Sequence, residues 1–230
     1  MFTDRTAAGQ ELISRIADRN YCNPIIVAIP QGGVPVAQPI AYYFGLPIDL
    51  CFVAKIKWYF DPRYGIGATE NDGEVILNNE AIDMLALNDD EVSIASTIAR
   101  NDLIQTISIL EPFDHMPKNL SGSTAIIIDD GIASGFTALA AVKSLNKHNP
   151  NRLVVATPVS SIYARRILAK AGIEVVSIIS DNNQMFLVDD FYVDFNKLTL
   201  DRICLLLEQH PFKSSRRDSP RRRILNAIGE

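Results

Sequence analysis

Two adjacent carboxylates, Asp129 and Asp130, follow an apolar run in the stretch "IIIDDGIASGFTAL". Small residues come next, and a helical pattern begins near residue 136. In open α/β sheets, ligands bind beyond the carboxyl ends of the strands, and backbone N–H groups at a helix N-terminus attract anions. The stretch therefore predicts a hydrogen-bond-accepting pair beside an anion-binding loop.

The charges of this stretch restrict the ligand that it can hold. A carboxylate about 6 Å from a phosphate costs about 3 kcal/mol at an effective dielectric of ~20, so a simple inorganic anion is not expected there. Ionised carboxylates only accept hydrogen bonds, which vicinal hydroxyls can donate. A sugar phosphate, most simply a ribose 5-phosphate unit, offers hydroxyls to the acid pair and a phosphate to the anion-binding loop. The absence of lysine from 131–137 and of a GxGxxG motif argues against P-loop and dinucleotide sites.

The elements that position these residues form an alternating pattern. Apolar runs rich in β-branched residues are nearly continuous, which is typical of strands buried on both faces. Strands alternating with helices predict an α/β fold, Rossmann-like, with a mainly parallel sheet of about five strands and flanking helices. The predicted strands are 25–29, 48–54, 124–128, 152–157 and 173–179, and the predicted helices are 8–18, 34–44, 89–110, 136–147 and 160–171.

Two stretches interrupt this pattern. Residues 55–79 contain Gly65, Gly67 and an Asn-Asp-Gly turn signal at 71–73, which predicts a long excursion with a β-hairpin that acts as a lid. Residues 211–230 form a basic segment that we expect to be flexible. One domain is therefore predicted over 1–210.

Composition excludes several classes of protein. Of the 22 Lys and Arg, 6 lie in 211–230 together with 2 of the 27 Asp and Glu, which leaves residues 1–210 with a net charge of −9. So acidic a body argues against nucleic-acid binding, except through the basic segment. The three widely separated cysteines favour a reducing compartment over a disulfide framework or a cysteine-rich zinc site. No apolar run reaches the roughly 18 residues of a membrane span, and no signal peptide is evident, so a cytoplasmic location is expected.

The acidic stretch is similar to a known signature. "IIIDDGIASGFT" resembles the motif with which type I phosphoribosyltransferases bind phosphoribosyl diphosphate (PRPP). The resemblance implies that Asp129 and Asp130 hold the ribose 2′- and 3′-hydroxyls. It also implies that the following loop binds the 5-phosphate through backbone amides and the hydroxyls of Ser134 and Thr137. That loop consists of Gly131, Ile132, Ala133, Ser134, Gly135, Phe136 and Thr137.

Further segments resemble a narrower branch, the predicted phosphoribosyltransferases of unassigned substrate. "FTDRTAAGQEL", "AIPQGGVPVA", "AKIKWYFDPRYGIGA" and "FYVDF" carry this likeness, which spans roughly residues 2–195. It implies the type I phosphoribosyltransferase fold, with a small hood at about 180–196. In that hood Tyr192 and Asp194 would lie near the acceptor, although a purely structural role for both is an equal alternative.

The same likeness implies a pyrophosphate site. Mg²⁺ would be held there mainly through pyrophosphate and water, with no direct protein ligand, and Lys55 would act with Asp129 and Asp130 in catalysis. Two positions depart from the branch: Gln31 replaces an arginine and Arg63 a usual glutamate. Glutamine cannot supply the charge of an arginine. The implied pyrophosphate contacts are Gln31, Gly32, Gly33, Lys55, Lys57 and Arg63.

Three functions remain open from the sequence. The first is Mg²⁺-dependent transfer of the phosphoribosyl group of PRPP to a nitrogenous acceptor, whose identity the sequence does not encode. The second, motivated by Gln31, is a non-catalytic PRPP- or nucleotide-binding regulatory protein. The third is a Mg²⁺ site for phosphoryl transfer, although the Asp-x-Asp pattern of phosphatases is missing at this strand end. The acids could also be a solvated turn. The sequence leaves the oligomeric state open, although a homodimer would be unsurprising.

Overall fold

A computed structural model describes residues 1–62, 64–183 and 186–212; Arg63 and the basic segment from 213 onward lie outside the described residues. No helix in the described ranges is both long and apolar enough to cross a membrane. The helices are α1 (Arg5–Ala17), α2 (Gly33–Phe44), α3 (Asn79–Met84), α4 (Asp89–Leu110), α5 (Phe136–Asn146), α6 (Ile162–Lys170) and α7 (Leu200–Gln209). The strands are β1 (Pro24–Ala28), β2 (Ile48–Leu50), β3 (Val53–Lys57), β4 (Gly65–Glu70), β5 (Val75–Leu77), β6 (Thr124–Ile128), β7 (Arg152–Ser161) and β8 (Glu174–Asp181).

The larger sheet has five strands in the order β2-β1-β6-β7-β8, all parallel. The predicted α/β fold is confirmed. From β1 the chain adds β2 on one side, whereas β6, β7 and β8 extend the sheet on the other. The winding therefore reverses between β1 and β6, and the crevice at such a reversal is where open α/β sheets bind ligands.

Both faces of this sheet are buried. On β6, Ile126 and Ile128 pack towards α1 and α2, whereas Ala125 and Ile127 pack towards α5 and α6. Each fully buried isoleucine contributes about 1.5–3 kcal/mol of hydrophobic stabilisation. Because alternate side chains enter two separate cores, the strand needs apolar residues at every position, which is the continuous pattern that its sequence has.

The excursion contains the predicted hairpin. Strands β4 and β5 pair antiparallel across a turn in which Gly73 has a φ of 82°, and β3 completes a second sheet in the order β3-β4-β5. The single strand predicted at 48–54 is wrong, because β2 and β3 belong to different sheets. The chain passes from one sheet to the other at Cys51 and Phe52. Both residues are buried, so the apolar run continues through this point and does not show where β2 ends. The lid role of this segment stays a prediction.

Strand β7 is longer than the sequence predicts. It continues to Ser161, so the predicted helix start at residue 160 is wrong and α6 begins at Ile162. The added residues pair with β8, and Ser160 forms a bridge to Ile132 in the loop after β6. The extra length of β7 thus supports the loop that follows the acidic pair. Helices α3 and α7 were not predicted.

Asp49 is a buried carboxyl on the edge strand β2. Its side-chain oxygen Oδ1 has no hydrogen-bond partner among the described residues. Burial, and secondly the charge of Asp114, raises the pKa of Asp49 to about 7, although the backbone N–H of His115 opposes the shift. The folded state therefore binds this proton more tightly than the unfolded state does. Its contribution to stability falls as the pH rises from about 4 to 7.

Replacing Asp49 by asparagine is expected to stabilise the protein at pH 8. A shift of about three pKa units corresponds to about 4 kcal/mol, so we expect the free energy of unfolding to rise by about 2–4 kcal/mol. Urea unfolding at pH 4 to 8 measures the free energy of unfolding of wild type and Asp49→Asn. The control is Asp83→Asn, which makes the same change at an exposed residue. The gain should shrink towards pH 4. An equal gain at every pH would contradict the titration of Asp49 as its cause.

Candidate active site

A cavity of about 780 Å³ opens at the carboxyl ends of β1 and β6, where the winding of the sheet reverses. Its walls come from the loops after these two strands, from β3, from α4 and from the segment after β8. The structure thus brings together parts of the chain that are far apart in sequence. The sequence-predicted residues on its wall are Gln31, Gly32, Lys55, Lys57, Asp129, Asp130, Gly131, Ile132, Ala133, Ser134, Gly135 and Thr137.

The loop after β6 presents backbone donors to the cavity. The N–H of Ile132 donates to the carbonyl of Val159 at 3.0 Å, so this amide is already used to fasten the loop to β7. Ser161 fastens it a second time by donating from Oγ to the carbonyl of Ala133 at 2.5 Å. No described residue accepts a hydrogen bond from the amides of 133–137. These amides and the N-terminus of α5 are suited to an anion.

Glycines allow this loop its shape. Gly135 has a φ of 86°, a left-handed conformation that disfavours residues with a Cβ, and it caps α5. A Cβ on Gly131 would lie 2.3 Å from Val188 Cγ1. Gly131 therefore lets the segment after β8 close over the start of the loop. Phe136 is buried beneath the loop and does not line the cavity.

The two carboxylates lie side by side at the end of β6. The backbone N–H of Asp130 donates to Oδ1 of Asp129 at 2.9 Å. Burial raises the pKa of Asp129 well above its usual range, and the charge of Asp130 adds to the effect. Burial also raises the pKa of Asp130, while the guanidinium of Arg5 acts in the opposite direction. The pair can accept hydrogen bonds from hydroxyls, and its charge is costly when the cavity is empty.

The loop after β1 lies against this pair. A Cβ on Gly32 would lie 2.5 Å from Asp130 Oδ2, so the backbone here approaches the carboxylate more closely than a side chain would allow. Gly33 is held equally close to the carbonyl of Ile128, because a Cβ there would lie 2.2 Å from that oxygen. Gln31 lines the cavity in a left-handed conformation with a φ of 69°. Such backbone at a non-glycine residue is uncommon and is concentrated at ligand sites.

Lysines of β3 form a further wall. Lys55 is half-buried, and Lys57, at the end of the strand, is exposed. Burial lowers the pKa of Lys55, and the charge of Lys57 lowers it further. The methylenes of Lys55 cross Gly65 on β4, where a Cβ would lie 2.5 Å from Cε. The hairpin thus helps to position this ammonium group in the cavity.

The segment after β8 holds the predicted hood residues. Tyr192 is buried, and its hydroxyl donates to the backbone carbonyl of Asp130 at 2.5 Å. Asp194 is exposed and accepts from the backbone N–H of Asn196 at 3.1 Å. From this segment Val188, Phe195, Lys197 and Leu198 line the cavity, whereas Tyr192 and Asp194 do not. A contact of Tyr192 or Asp194 with an acceptor stays a prediction.

Sequence reasoning did not assign Arg5 to the site. Its Nε donates to Asp130 Oδ2 at 2.7 Å, across 125 residues of chain. Arg5 lies in the segment "FTDRTAAGQEL", which carries part of the family likeness, but nothing in its spacing indicates which residue Arg5 contacts. The wall from α4, which includes Asp102 and Thr106, was missed as well. These residues are part of an ordinary helical pattern and carry no separate signal.

Comparison with known proteins relates this chain to one protein family by sequence and by structure. The chain matches the family model described as "Phosphoribosyl transferase domain" over residues 3–189. Two Mycobacterium tuberculosis sequences named "Putative phosphoribosyl transferase" are 31% identical over 215 residues, which are 91% of this chain and 47% of each relative. The chain thus spans about half the length of these curated relatives. The crystal structure of TT1426 from Thermus thermophilus is similar with a TM-score of 0.69 and 28% identity, covering 91% of this chain and 98% of that one.

Proposed function

Because the chain belongs to the phosphoribosyltransferase family, we propose that it transfers the 5-phosphoribosyl group of PRPP to a nitrogenous acceptor and releases pyrophosphate. The acceptor is a nucleobase or a related heterocycle. The observation that carries the proposal is the meeting of an acid pair, an amide-lined loop and a half-buried lysine in one cavity at the reversal of the sheet. These three groups match the hydroxyls, the 5-phosphate and the diphosphate of PRPP.

Each end of PRPP then has its own partner. The carboxylates of Asp129 and Asp130 accept hydrogen bonds from the ribose hydroxyls, which offsets the cost of burying the pair. The amides of 133–137 bind the 5-phosphate at the start of α5, where the helix dipole favours negative charge. Loop 31–33 and Lys55 face the diphosphate. The ribose is thereby fixed at both ends with its C1 exposed to an acceptor.

The reaction is a substitution at C1. The acceptor nitrogen forms a bond to C1 while the bond from C1 to the diphosphate oxygen breaks, and the electron pair leaves with pyrophosphate. The proton of the acceptor nitrogen goes to solvent. Positive charge develops on the ribose ring in the transition state, close to the acid pair, while negative charge develops on the leaving group, close to Lys55. Preorganised charges of this kind are commonly the largest catalytic contribution.

A Mg²⁺ ion suits this donor set. Magnesium prefers oxygen ligands, keeps several waters, and is commonly bound through substrate phosphates and one or two carboxylates. The wall offers the carboxylate of Asp102, whereas Asp129 and Asp130 are assigned to the ribose hydroxyls and Arg5 already engages one oxygen of Asp130. The ion would therefore be held mainly by the diphosphate and water. When bound, it neutralises charge on the diphosphate.

A pyrophosphate-release screen tests the proposed function. The protein is incubated with PRPP, Mg²⁺ and a panel of purines, pyrimidines and related heterocycles. We expect release with at least one acceptor, loss of release on chelation by EDTA, and recovery on adding Mg²⁺. Saturable PRPP binding without release for any acceptor would contradict transfer.

That second outcome is the result expected for a non-catalytic PRPP- or nucleotide-binding regulatory protein. Gln31 favours this alternative, because it lines the cavity at the position where the related branch has an arginine and brings no charge to the diphosphate. Gln31→Arg separates the two functions. A catalyst should gain PRPP affinity and keep its turnover, whereas a binding protein should gain affinity alone.

A further inference from the structure

Arg5 is held in place by three contacts with two parts of the site, the acid pair and the segment after β8. It is the first residue of α1, and its side chain is only 11% exposed. Besides its bond to Asp130, its Nη1 donates to the backbone carbonyl of Asn196 at 3.0 Å. Its guanidinium carbon lies 3.7 Å from the centre of the Phe195 ring. A planar, permanently charged group with these contacts is fixed in orientation as well as in position.

The start of the chain is brought to the site by backbone pairing. Phe2 donates to the carbonyl of Phe191 at 2.8 Å, and Val193 donates back to the carbonyl of Phe2 at 2.8 Å. Asp4 then caps α1 by accepting from the N–H of Ala7 at 2.7 Å. The helix therefore begins beside the segment after β8, and its first side chain faces the acid pair.

Among the described residues, few charged or titratable groups surround Asp130. These are Asp129 beside it, Arg5 from α1 and Tyr192 from the segment after β8. The backbone of Gly32 packs against the opposite side of Asp130, because a Cβ added to Gly32 would lie only 2.5 Å from Asp130 Oδ2. Arg5 is thus the cation among these described neighbours, although a hydrogen bond with the Asp129 side chain also acts to lower the pKa of Asp130.

We propose that Arg5 is the positioning residue of the pentose subsite, which holds Asp130 ionised and correctly oriented before the sugar phosphate binds. The proposal rests on the proposed function, because it assigns Asp130 to a ribose hydroxyl. An ionised carboxylate accepts a hydrogen bond roughly twice as strong as a neutral acceptor does. Wedged between Arg5 and Gly32, Asp130 is preorganised, so less ordering is left to the binding step.

A merely structural role for Arg5 predicts something different. In that case Arg5 would only tie the start of α1 to Phe195 and Asn196, and its removal would loosen the site equally at every pH. If Arg5 acts through the charge of Asp130, removing the Arg5 side chain should weaken PRPP binding at neutral pH. It should have little effect at high pH, where Asp130 ionises without Arg5.

The first experiment needs no ligand. Carboxyl ¹³C NMR follows the titration of the Asp129–Asp130 pair in wild type, Arg5→Met, Arg5→Lys and the exposed control Arg15→Met, with Asp130→Asn to assign the signals. We expect Arg5→Met to raise the apparent pKa assigned to Asp130 by at least one unit. Arg5→Lys should give a smaller rise and Arg15→Met none. Titration of Asp130 at the same pH in wild type and Arg5→Met would overturn the proposal.

The second experiment measures PRPP affinity by calorimetry with Mg²⁺ from pH 6 to 9. We expect Arg5→Met to bind at least about tenfold more weakly at pH 7, with the loss shrinking towards pH 9. Arg5→Lys should retain more affinity, and the double variant Arg5→Met, Asp130→Asn should bind no worse than Asp130→Asn alone. A loss of equal size at every pH would overturn the proposal. If wild type does not bind PRPP, the proposed function fails, whereas the NMR titration still decides what Arg5 does to Asp130.

Discussion

Replacing Asp129 and Asp130 together by asparagine is expected to weaken PRPP binding by about 100-fold. The amides keep the shape of the carboxyls but lose the charge that strengthens the bonds to the two ribose hydroxyls. Hydrogen bonds to charged groups contribute about 1.5–3 kcal/mol each and neutral ones about 0.5–1.5 kcal/mol, so losing the charge at two positions costs about 2–3 kcal/mol. Calorimetric titration with PRPP and Mg²⁺ measures the effect.

The control for this experiment is a second pair of adjacent acids. Asp89 and Asp90 are both exposed at the start of α4, so Asp89→Asn, Asp90→Asn makes the same chemical change away from the cavity. It should leave PRPP affinity unchanged. The protein with both site acids replaced should also gain stability at pH 8, because burial raises the pKa of each carboxyl. Wild-type affinity in the Asp129→Asn, Asp130→Asn protein would refute the ribose assignment.

Replacing Lys55 by methionine is expected to lower kcat/KM for pyrophosphate release by about 100-fold. Methionine keeps much of the side-chain volume that packs across Gly65, so the main change is the loss of a half-buried positive charge. Removing one preorganised group that stabilises developing charge typically costs a factor of about 10²–10³. Initial rates with the acceptor found in the screen measure the effect, and PRPP affinity provides a second readout.

Lys57 is the matched comparison on the same strand. It also lines the cavity, but it is exposed, so water and salt screen its charge. Lys57→Met should therefore lower kcat/KM for pyrophosphate release by less than tenfold. Lys118→Met, at an exposed residue outside the cavity wall, should leave kcat/KM unchanged. Equal losses for Lys55→Met and Lys57→Met would show that burial does not set the effect. Full activity in Lys55→Met would remove Lys55 from the site.

Much of the parallel sheet could be predicted from the sequence because its signals are local. Strand β6 and helix α4 have the predicted limits, since an apolar strand buried on both faces and a capped amphipathic helix each need a particular residue pattern over their whole length. The boundary between β2 and β3 could not be predicted, because the residues at that boundary are buried and apolar. Cys51 and Phe52 stay inside the core while the chain passes between sheets, so their apolar character is the same in a strand and in a crossing.

By itself, the sequence determined the acid pair, the small-residue loop behind it and the strand that carries both, because adjacent residues specify them. Only the tertiary structure decided which groups face that pair. Arg5 reaches Asp130 across 125 residues, and Val188 closes over Gly131 from the segment after β8. Such contacts follow from the pairing of the chain start with the segment around Tyr192 and from the order of the strands in the sheet. No local pattern encodes them, because each contact depends on how every element between its two residues packs.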